Sequence, residues 1–258
     1  MGIDFHDSSN RHAYTTRHAD SSWRKTVESL VPIESVSLAA DIGCGGGIYS
    51  QALVDLGVNF VIGVDSSEAM LEGARENCGA YSNLAFRKGD ALQTGLQSEL
   101  CDLVLERALI HHLTDLDACF QEAYRILEPN GYIVVQDRTP EDCFQIGSAY
   151  HVRGYLFELF PWLQDLEGKR RHSTQKVTSS LIDAGFHSIE EVKLWETRQE
   201  YASKHQLLDD LRNRTGRSIL HELDRQELNQ LVTYVDQSLP SNQPITEKDR
   251  WTIWKAVK

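Results

Sequence analysis

The stretch Ala39-Ala40-Asp41-Ile42-Gly43-Cys44-Gly45-Gly46-Gly47-Ile48-Tyr49 puts four glycines within five residues, between an apolar run ending at Ile42 and a helix-period run beginning at Ile48. A glycine-rich junction of this kind lets the backbone bend sharply and approach a ligand with no Cβ in the way. The helix start beyond it carries N–H groups that have no intrahelical partner. The junction is therefore expected to hold a group rich in acceptor atoms; a tight structural turn with incidental glycines is the plainer alternative. A dinucleotide fingerprint requires glycine at position 48, where Ile48 stands, and here the third glycine arrives one residue early at Gly47. Asp41, two residues before Gly43, would repel a pyrophosphate and suits a ligand with an ammonium group.

Around this junction, from about Ser35 to Asp137, short apolar runs alternate with helix-period segments, the pattern of a parallel sheet covered by helices. Strands are expected at Val36 to Ile42, Phe60 to Val64, Leu84 to Lys88, Asp102 to Glu106 and Tyr132 to Gln136. Helices are expected at Ile48 to Leu56, Ser67 to Cys78 and Asp115 to Leu127, the last with Leu116, Cys119, Phe120, Ala123 and Leu127 on one face. Ser66 is a candidate N-cap, and Pro129-Asn130-Gly131 reads as a stop. Right-handed crossovers place the site of such a sheet at the carboxyl ends of its strands. Further on, Ser173 to Ala184 before Gly185 reads as a helix, and Ile189 to Trp195 and Arg250 to Val257 read as strands. Segments 139–172 and 197–249 carry helical periodicity and aromatics and are expected to be lid insertions; residues 1–34 are expected to form cap helices. The whole chain, 1–258, is expected to be one domain with a cofactor-binding core at 35–138.

Asp65 ends the second strand roughly 20 residues after the glycine loop, where a ribose-binding acid is expected, although a capping role for the next helix is open. Asp90 ends the third strand and suits an exocyclic adenine amine, with a plain loop aspartate as the alternative.

Taken in order, Asp41-x-Gly43-x-Gly45-x-Gly47, Gly63-Val64-Asp65-Ser66-Ser67-Glu68-Ala69-Met70-Leu71, Gly89-Asp90-Ala91, Cys101-Asp102-Leu103-Val104, His111-His112-Leu113 and Arg125-Ile126-Leu127-Glu128-Pro129-Asn130-Gly131 resemble the motifs of class I S-adenosylmethionine-dependent methyltransferases. The nearest-looking branch is the small-molecule group that includes ubiquinone/menaquinone-biosynthesis and trans-aconitate methyltransferases, and the resemblance covers about residues 35 to 137. It implies an α/β, doubly wound, mostly parallel seven-stranded Rossmann-like sheet with an antiparallel last hairpin, and S-adenosyl-L-methionine as cofactor. By the same resemblance Gly43, Gly45, Gly47 and Asp41 lie by the methionine part, Asp65 by the ribose, Asp90 and Ala91 by the adenine, and Glu106 beside the methionine moiety, with Ser66 also cofactor-binding. Segments like Tyr14 to Arg17 fold over the cofactor in that family, and Arg17 suits the methionine carboxylate, with a solvated helix face as the alternative. Two departures stand out: Asn130 in place of the usual glycine before Gly131, and Glu106-Arg107 in place of smaller residues.

Composition limits the partners. The 258 residues carry 38 acidic against 26 basic side chains, a net charge of -12, which opposes nucleic acid and anionic lipid as partners. Five cysteines without C-x-x-C spacing indicate neither a zinc ribbon nor a redox pair, and no basic-then-apolar leader or membrane-length apolar run is present, so a cytoplasmic protein is expected.

Methyl transfer from a sulfonium is an in-line displacement that mainly needs alignment, so no universal catalytic residue is required. Where the acceptor must lose a proton, His111, His112 and His151 are the candidate bases, with a structural role for the adjacent pair as the alternative; no metal site is expected. Aromatics from Tyr150 to Trp162, with Lys169, Arg170 and Arg171 and a second basic group of Arg212, Arg214 and Arg217, hint at an anionic small-molecule acceptor, with lid-core aromatics and solvated charges as the alternative. Two other classes share these features: an NAD(P)-linked oxidoreductase, opposed by Ile48 and Asp41, and a noncatalytic module that binds S-adenosylmethionine. The oligomeric state is unknown.

Overall fold

The computed structural model describes residues 18–240 and 243–258. Seven strands form one sheet in the order β3-β2-β1-β4-β5-β7-β6: β1 Leu38–Ile42, β2 Phe60–Asp65, β3 Leu84–Lys88, β4 Cys101–Arg107, β5 Leu127–Asp137, β6 His187–Tyr201 and β7 Ile245–Val257. Strands β1 to β5 pair in parallel, and β7 runs antiparallel to β5. The chain divides into two compact units. One takes the described residues up to Asp137 together with Ser173–Leu194 and Thr252–Lys258; the other takes Arg138–His172 and Trp195–Trp251.

In the larger unit, adjacent residues of each central strand serve opposite layers, which is why these strands read as nearly continuous apolar runs. Ala39, Val61, Leu103, Val134 and Ile253 pack with Trp23 and Val27 of α1 (Ser21–Leu30) and with Ala52 and Leu53 of α2 (Ile48–Asp55). Their neighbours Ala40, Val104, Val135 and Trp254 pack in the other layer. There they meet Phe120 and Ala123 of α4 (Leu116–Ile126) and Val177 and Leu181 of α8 (Thr174–Asp183). The last strand alternates as its sequence implies, with Ile253 in one layer and Trp254 and Ala256 in the other. Between β2 and β3, α3 (Glu68–Asn77) completes the crossovers.

Several element ends differ from the sequence reading. β1 begins at Leu38 because Ile33–Ser35 forms a 3-10 turn. The N-cap of α3 is Ser67, whose hydroxyl accepts from Met70 N at 3.2 Å, whereas Ser66 is exposed. Pro129-Asn130-Gly131 does not end the ordered pairing. The helix stops at Ile126, β5 starts at once, and the three residues form a bulge between the pairs Cys101–Leu127 and Leu103–Tyr132. Asn130 takes φ 68° there, a left-handed conformation that asparagine tolerates better than most residues, so it replaces glycine without loss of the turn. The bulge is held by Asn130 N donating to Lys258 O at 3.1 Å and by Lys258 N donating to Gly131 O at 2.9 Å. Both β6 and β7 are also longer than expected, 15 and 13 residues.

The smaller unit collects the two predicted insertions and has its own apolar core. It contains α5 (Pro140–Cys143), α6 (Val152–Leu159), α7 (Trp162–Gly168), α9 (Lys204–Arg212) and α10 (Arg225–Ser238), with Leu156, Phe157, Leu163, Leu207, Leu231 and Val235 among the buried side chains. The insertions bury enough apolar surface to form a core of their own within this unit. Beside that core runs a buried ionic network. Arg153 meets Asp249 at 3.4 Å, Arg198 meets Glu247 at 2.9 Å, Arg217 also pairs with Glu247, Arg171 meets Glu167 at 2.8 Å, and Arg250 meets Asp142 at 2.6 Å. Although burial opposes the shift, the surrounding arginines hold the Glu167 carboxyl down to about 2 and Asp249 far below the usual carboxylate range. Among the described residues no helix is long and apolar enough to cross a membrane.

Candidate active site

The glycine loop follows β1, and its turn is built from left-handed residues. Gly43, Gly45 and Gly47 have φ of 73°, 51° and 79°. Gly43 N and Cys44 N both donate to Val64 O, at 2.8 and 3.1 Å, which ties the loop to the end of β2. Space explains two of the glycines differently from ligand approach. A Cβ at Gly43 would lie 2.8 Å from Leu109 Cδ1, and one at Gly47 would lie 2.8 Å from Phe86 Cζ and 2.9 Å from Cys78 Sγ. At Gly45 the nearest atom would be Met70 Cε at 3.4 Å, a van der Waals contact and not a clash, so here it is the left-handed backbone that favours glycine. Gly47→Ala combines the wrong backbone conformation with a steric clash and is expected to cost roughly 2–4 kcal/mol; a thermal-unfolding midpoint within a degree of wild type would contradict this.

Three carboxylates stand at the carboxyl ends of adjacent strands. Asp65, at the end of β2, accepts from Gly45 N through Oδ2 and from Ser67 N through Oδ1, both at 2.9 Å. It therefore links the glycine loop to the start of α3, and each oxygen keeps a second lone pair. The capping alternative for Asp65 is partly right: it accepts from the Ser67 amide, while Ser67 itself caps the helix. Asp41, 2% exposed, accepts from Ser50 Oγ of α2 at 2.5 Å. Burial pushes its carboxyl up to about 6, with Asp65 adding to the rise and Ser50 opposing it. Glu106, 1% exposed near the end of β4, accepts from Cys119 Sγ at 3.4 Å through Oε1, while its buried Oε2 has no hydrogen-bond partner. Burial pushes it up to about 7.

After β3, Asp90 is exposed, and its Oδ1 accepts from Leu92 N at 2.8 Å, closing a turn in which Asp90 and Gln93 bridge. Ala91 is half-buried against the core. Tyr14 and Arg17 lie outside the described residues.

The candidate histidines belong to both units. His111 and His112, in the 3-10 turn Ile110–His112 after β4, stack with ring centroids 4.0 Å apart, and His111 Nδ1 lies 2.8 Å from Asp137 Oδ2. The same carboxylate oxygen accepts from His111 N at 3.2 Å. Asp137 closes β5 and was not singled out by sequence; a buried acid ending the strand next to one followed by histidines was the available signal. His151 belongs to the other unit. It is buried, with Nδ1 3.3 Å from Lys248 O and Nε2 without a partner, and burial lowers its basicity.

The basic groups also resolve differently. Arg171 pairs with Glu167, Arg212 with Asp209, Arg217 with Glu247 and Arg170 with Glu222, while Arg214 donates to the Leu220 and Leu223 carbonyls. Arg171 and Arg217 thus meet buried acids, whereas the Arg212–Asp209 and Arg170–Glu222 pairs are at the surface. Lys169 is exposed. Among the described residues no group of three His, Cys, Asp or Glu side chains is placed to hold a metal ion.

Comparison with known proteins agrees with this architecture. A family profile described as a methyltransferase domain matches residues 40–135. The mouse tRNA (carboxymethyluridine(34)-5-O)-methyltransferase ALKBH8 is 32% identical over 146 residues, 55% of this chain, and the chain spans only 20% of that protein's length. Trans-aconitate 2-methyltransferase of Escherichia coli O157:H7 is 30% identical over 233 residues, covering 87% of this chain and 86% of the relative. Among solved structures, Haemonchus contortus phosphoethanolamine N-methyltransferase 2 in complex with S-adenosyl-L-methionine superposes with a TM-score of 0.59 at 18% identity, over 100% of this chain and 60% of that one. A parallel sheet with this strand order, a glycine loop fronted by Asp41, an acid fixed at Asp65 and a near full-length relative lead to one conclusion: the chain belongs to the S-adenosylmethionine-dependent methyltransferase family.

Proposed function

We propose that this protein transfers a methyl group from S-adenosyl-L-methionine to a small-molecule acceptor at the carboxyl edge of the sheet. The observation that carries this reading is Asp65, locked by the Gly45 and Ser67 amides with lone pairs to spare for a ribose diol. The residues present also fit the rest of the cofactor. Glu106 Oε2, a buried acceptor with no partner, suits an ammonium donor. Asp41 supplies a second carboxylate of the sign a cationic ligand requires. Ser66, Asp90 and Ala91 complete the nucleoside end in this reading, and Gly43 and Gly47 shape the loop.

When bound, the cofactor supplies an electrophilic methyl on a sulfonium, whose departure as a neutral thioether leaves the protein mainly to bind, orient and exclude water. The NAD(P)-linked alternative has no support from any family matched. Segments 139–172 and 197–249 are assigned to acceptor selection. The relative that acts on tRNA favours a second reading, a tRNA acceptor, but a net charge of -12 opposes a polyanion. Incubation with methyl-labelled cofactor, a small-molecule panel and bulk tRNA discriminates between them. Label is expected in small molecules; label in tRNA alone would replace this acceptor class, and cofactor binding without any transfer would favour a noncatalytic module.

A further inference from the structure

Two residues of the larger unit are arranged in a way that simple methyl alignment does not require. Asp137, 1% exposed at the end of β5, accepts from both the backbone N–H and the Nδ1 side of His111, at 3.2 and 2.8 Å. Two bonds from one carboxylate fix the turn and the ring together. The imidazole is 18% exposed while its carboxylate partner is 2% exposed, so the acid is sequestered and the ring is the accessible member. Engagement of Nδ1 selects the tautomer in which Nδ1 carries the proton and Nε2 presents a lone pair. The turn also reaches the glycine loop: Leu109, two residues before His111, occupies the space a Cβ on Gly43 would need. A held, accessible imidazole base thus sits on the element packed against the loop that the proposed cofactor site uses.

The chemistry of such a base narrows the acceptor. A carboxylate nucleophile is already ionised near neutral pH, since carboxyl groups titrate near 4, and gains nothing from a base. An alcohol, phenol or amine must shed a proton for the methylated product to be neutral at the reacting atom. From these residues we infer that the acceptor attacks through an O–H or N–H group, with His111 as the catalytic base and Asp137 as the residue that positions it. This inference rests on the methyltransferase reading above. In the step, the acceptor lone pair forms the new bond to the methyl carbon, and the carbon–sulfur bond breaks with its electron pair going to sulfur. The acceptor proton passes to His111 Nε2 and then to solvent, giving methylated acceptor, S-adenosylhomocysteine and one proton. Asp137 faces the imidazolium charge as it forms.

The test uses the full chain and its Asp137→Asn and His111→Gln variants, with phenols, aliphatic alcohols, amines and trans-aconitate as probes. Asparagine keeps the shape but can donate to Nδ1, which holds the ring in the opposite tautomer. In ¹⁵N spectra of the free protein, His111 is expected as the Nδ1–H form in wild type and the Nε2–H form in Asp137→Asn. With O–H or N–H probes, kcat is expected to fall about 1000-fold in both variants, the loss typical of a wrongly held or missing base. KM and calorimetric affinity for S-adenosylhomocysteine should stay within about threefold, because neither residue is placed at the cofactor. Methylation of trans-aconitate at a rate both variants retain, O–H or N–H transfer undiminished by the substitutions, transfer to no probe, or an unchanged tautomer would each overturn the inference. Absence of S-adenosylhomocysteine binding by wild type is a separate result, which removes the methyltransferase reading itself.

Discussion

Asp65→Ala is expected to weaken S-adenosylhomocysteine binding by at least about 100-fold. The substitution removes the proposed ribose acceptor and also the two amide bonds, from Gly45 and Ser67, that hold the glycine loop against α3. Hydrogen bonds to a charged group contribute about 1.5–3 kcal/mol each, so losing even the ribose pair accounts for a factor of this size. Disorder in the loop adds to it. Calorimetry on wild type and variant reads the change directly, and an affinity within threefold of wild type would show that Asp65 is only a structural tie. Gly47→Ala serves as the contrast: its cost falls on folding through Phe86 and Cys78, so the folded fraction of that variant should still bind.

The second large effect belongs to Glu106. Its carboxyl is raised from 4.5 to about 7 by burial, so the folded protein holds a proton there that the unfolded chain has released over most of that interval. The stability attached to this proton is present below the unfolded value and is lost as pH rises through about 7. A rise of this size corresponds to about 3 kcal/mol at the alkaline end. Glu106→Gln, neutral throughout and still able to accept from Cys119, is therefore expected to match wild type at acid pH and to be more stable by about 2–3 kcal/mol above neutrality. Denaturant midpoints measured across this range check it, and an equal difference at both ends would refute the assignment. The same substitution should weaken S-adenosylmethionine binding, because it removes a carboxylate that a cation would draw into the ionised form. In wild type that affinity should fall as pH drops through the range where Asp41, near 6, and Glu106, near 7, take up protons.

Much of the fold was legible because each layer leaves a periodic trace. The central strands are covered on both faces, so Leu103–Leu105 is apolar without interruption and Leu38–Ile42 is broken only by Asp41. Helix α4 shows its stripe because only one side is buried. The errors cluster where a local signal has two outcomes. Pro129-Asn130-Gly131 ends the helix pattern, but whether the chain then turns away or continues as a bulged strand depends on pairing with Lys258, 127 residues away in sequence from Gly131. Ser66 and Ser67 are equally good caps by type, and the Asp65 bond to Ser67 N decides between them. In the site, Asp41, Asp65 and Glu106 were readable because they end strands at the sheet's carboxyl edge. Asp137 was missed because its partner, His111, is set by the parallel register of β4 and β5, which spacing along the chain does not encode. The arginine clusters show the converse: adjacency in sequence displays their charge, whereas Glu247 and Glu222, which pair with Arg217 and Arg170, lie 30 and 52 residues away in sequence.

Titration calorimetry of the full chain with S-adenosylhomocysteine and, separately, with NAD tests the central claim most directly. A saturable single site for S-adenosylhomocysteine that disappears in Asp65→Ala, with no heat from NAD, is the predicted result. Tight NAD binding, or S-adenosylhomocysteine binding that is indifferent to Asp65, would contradict it.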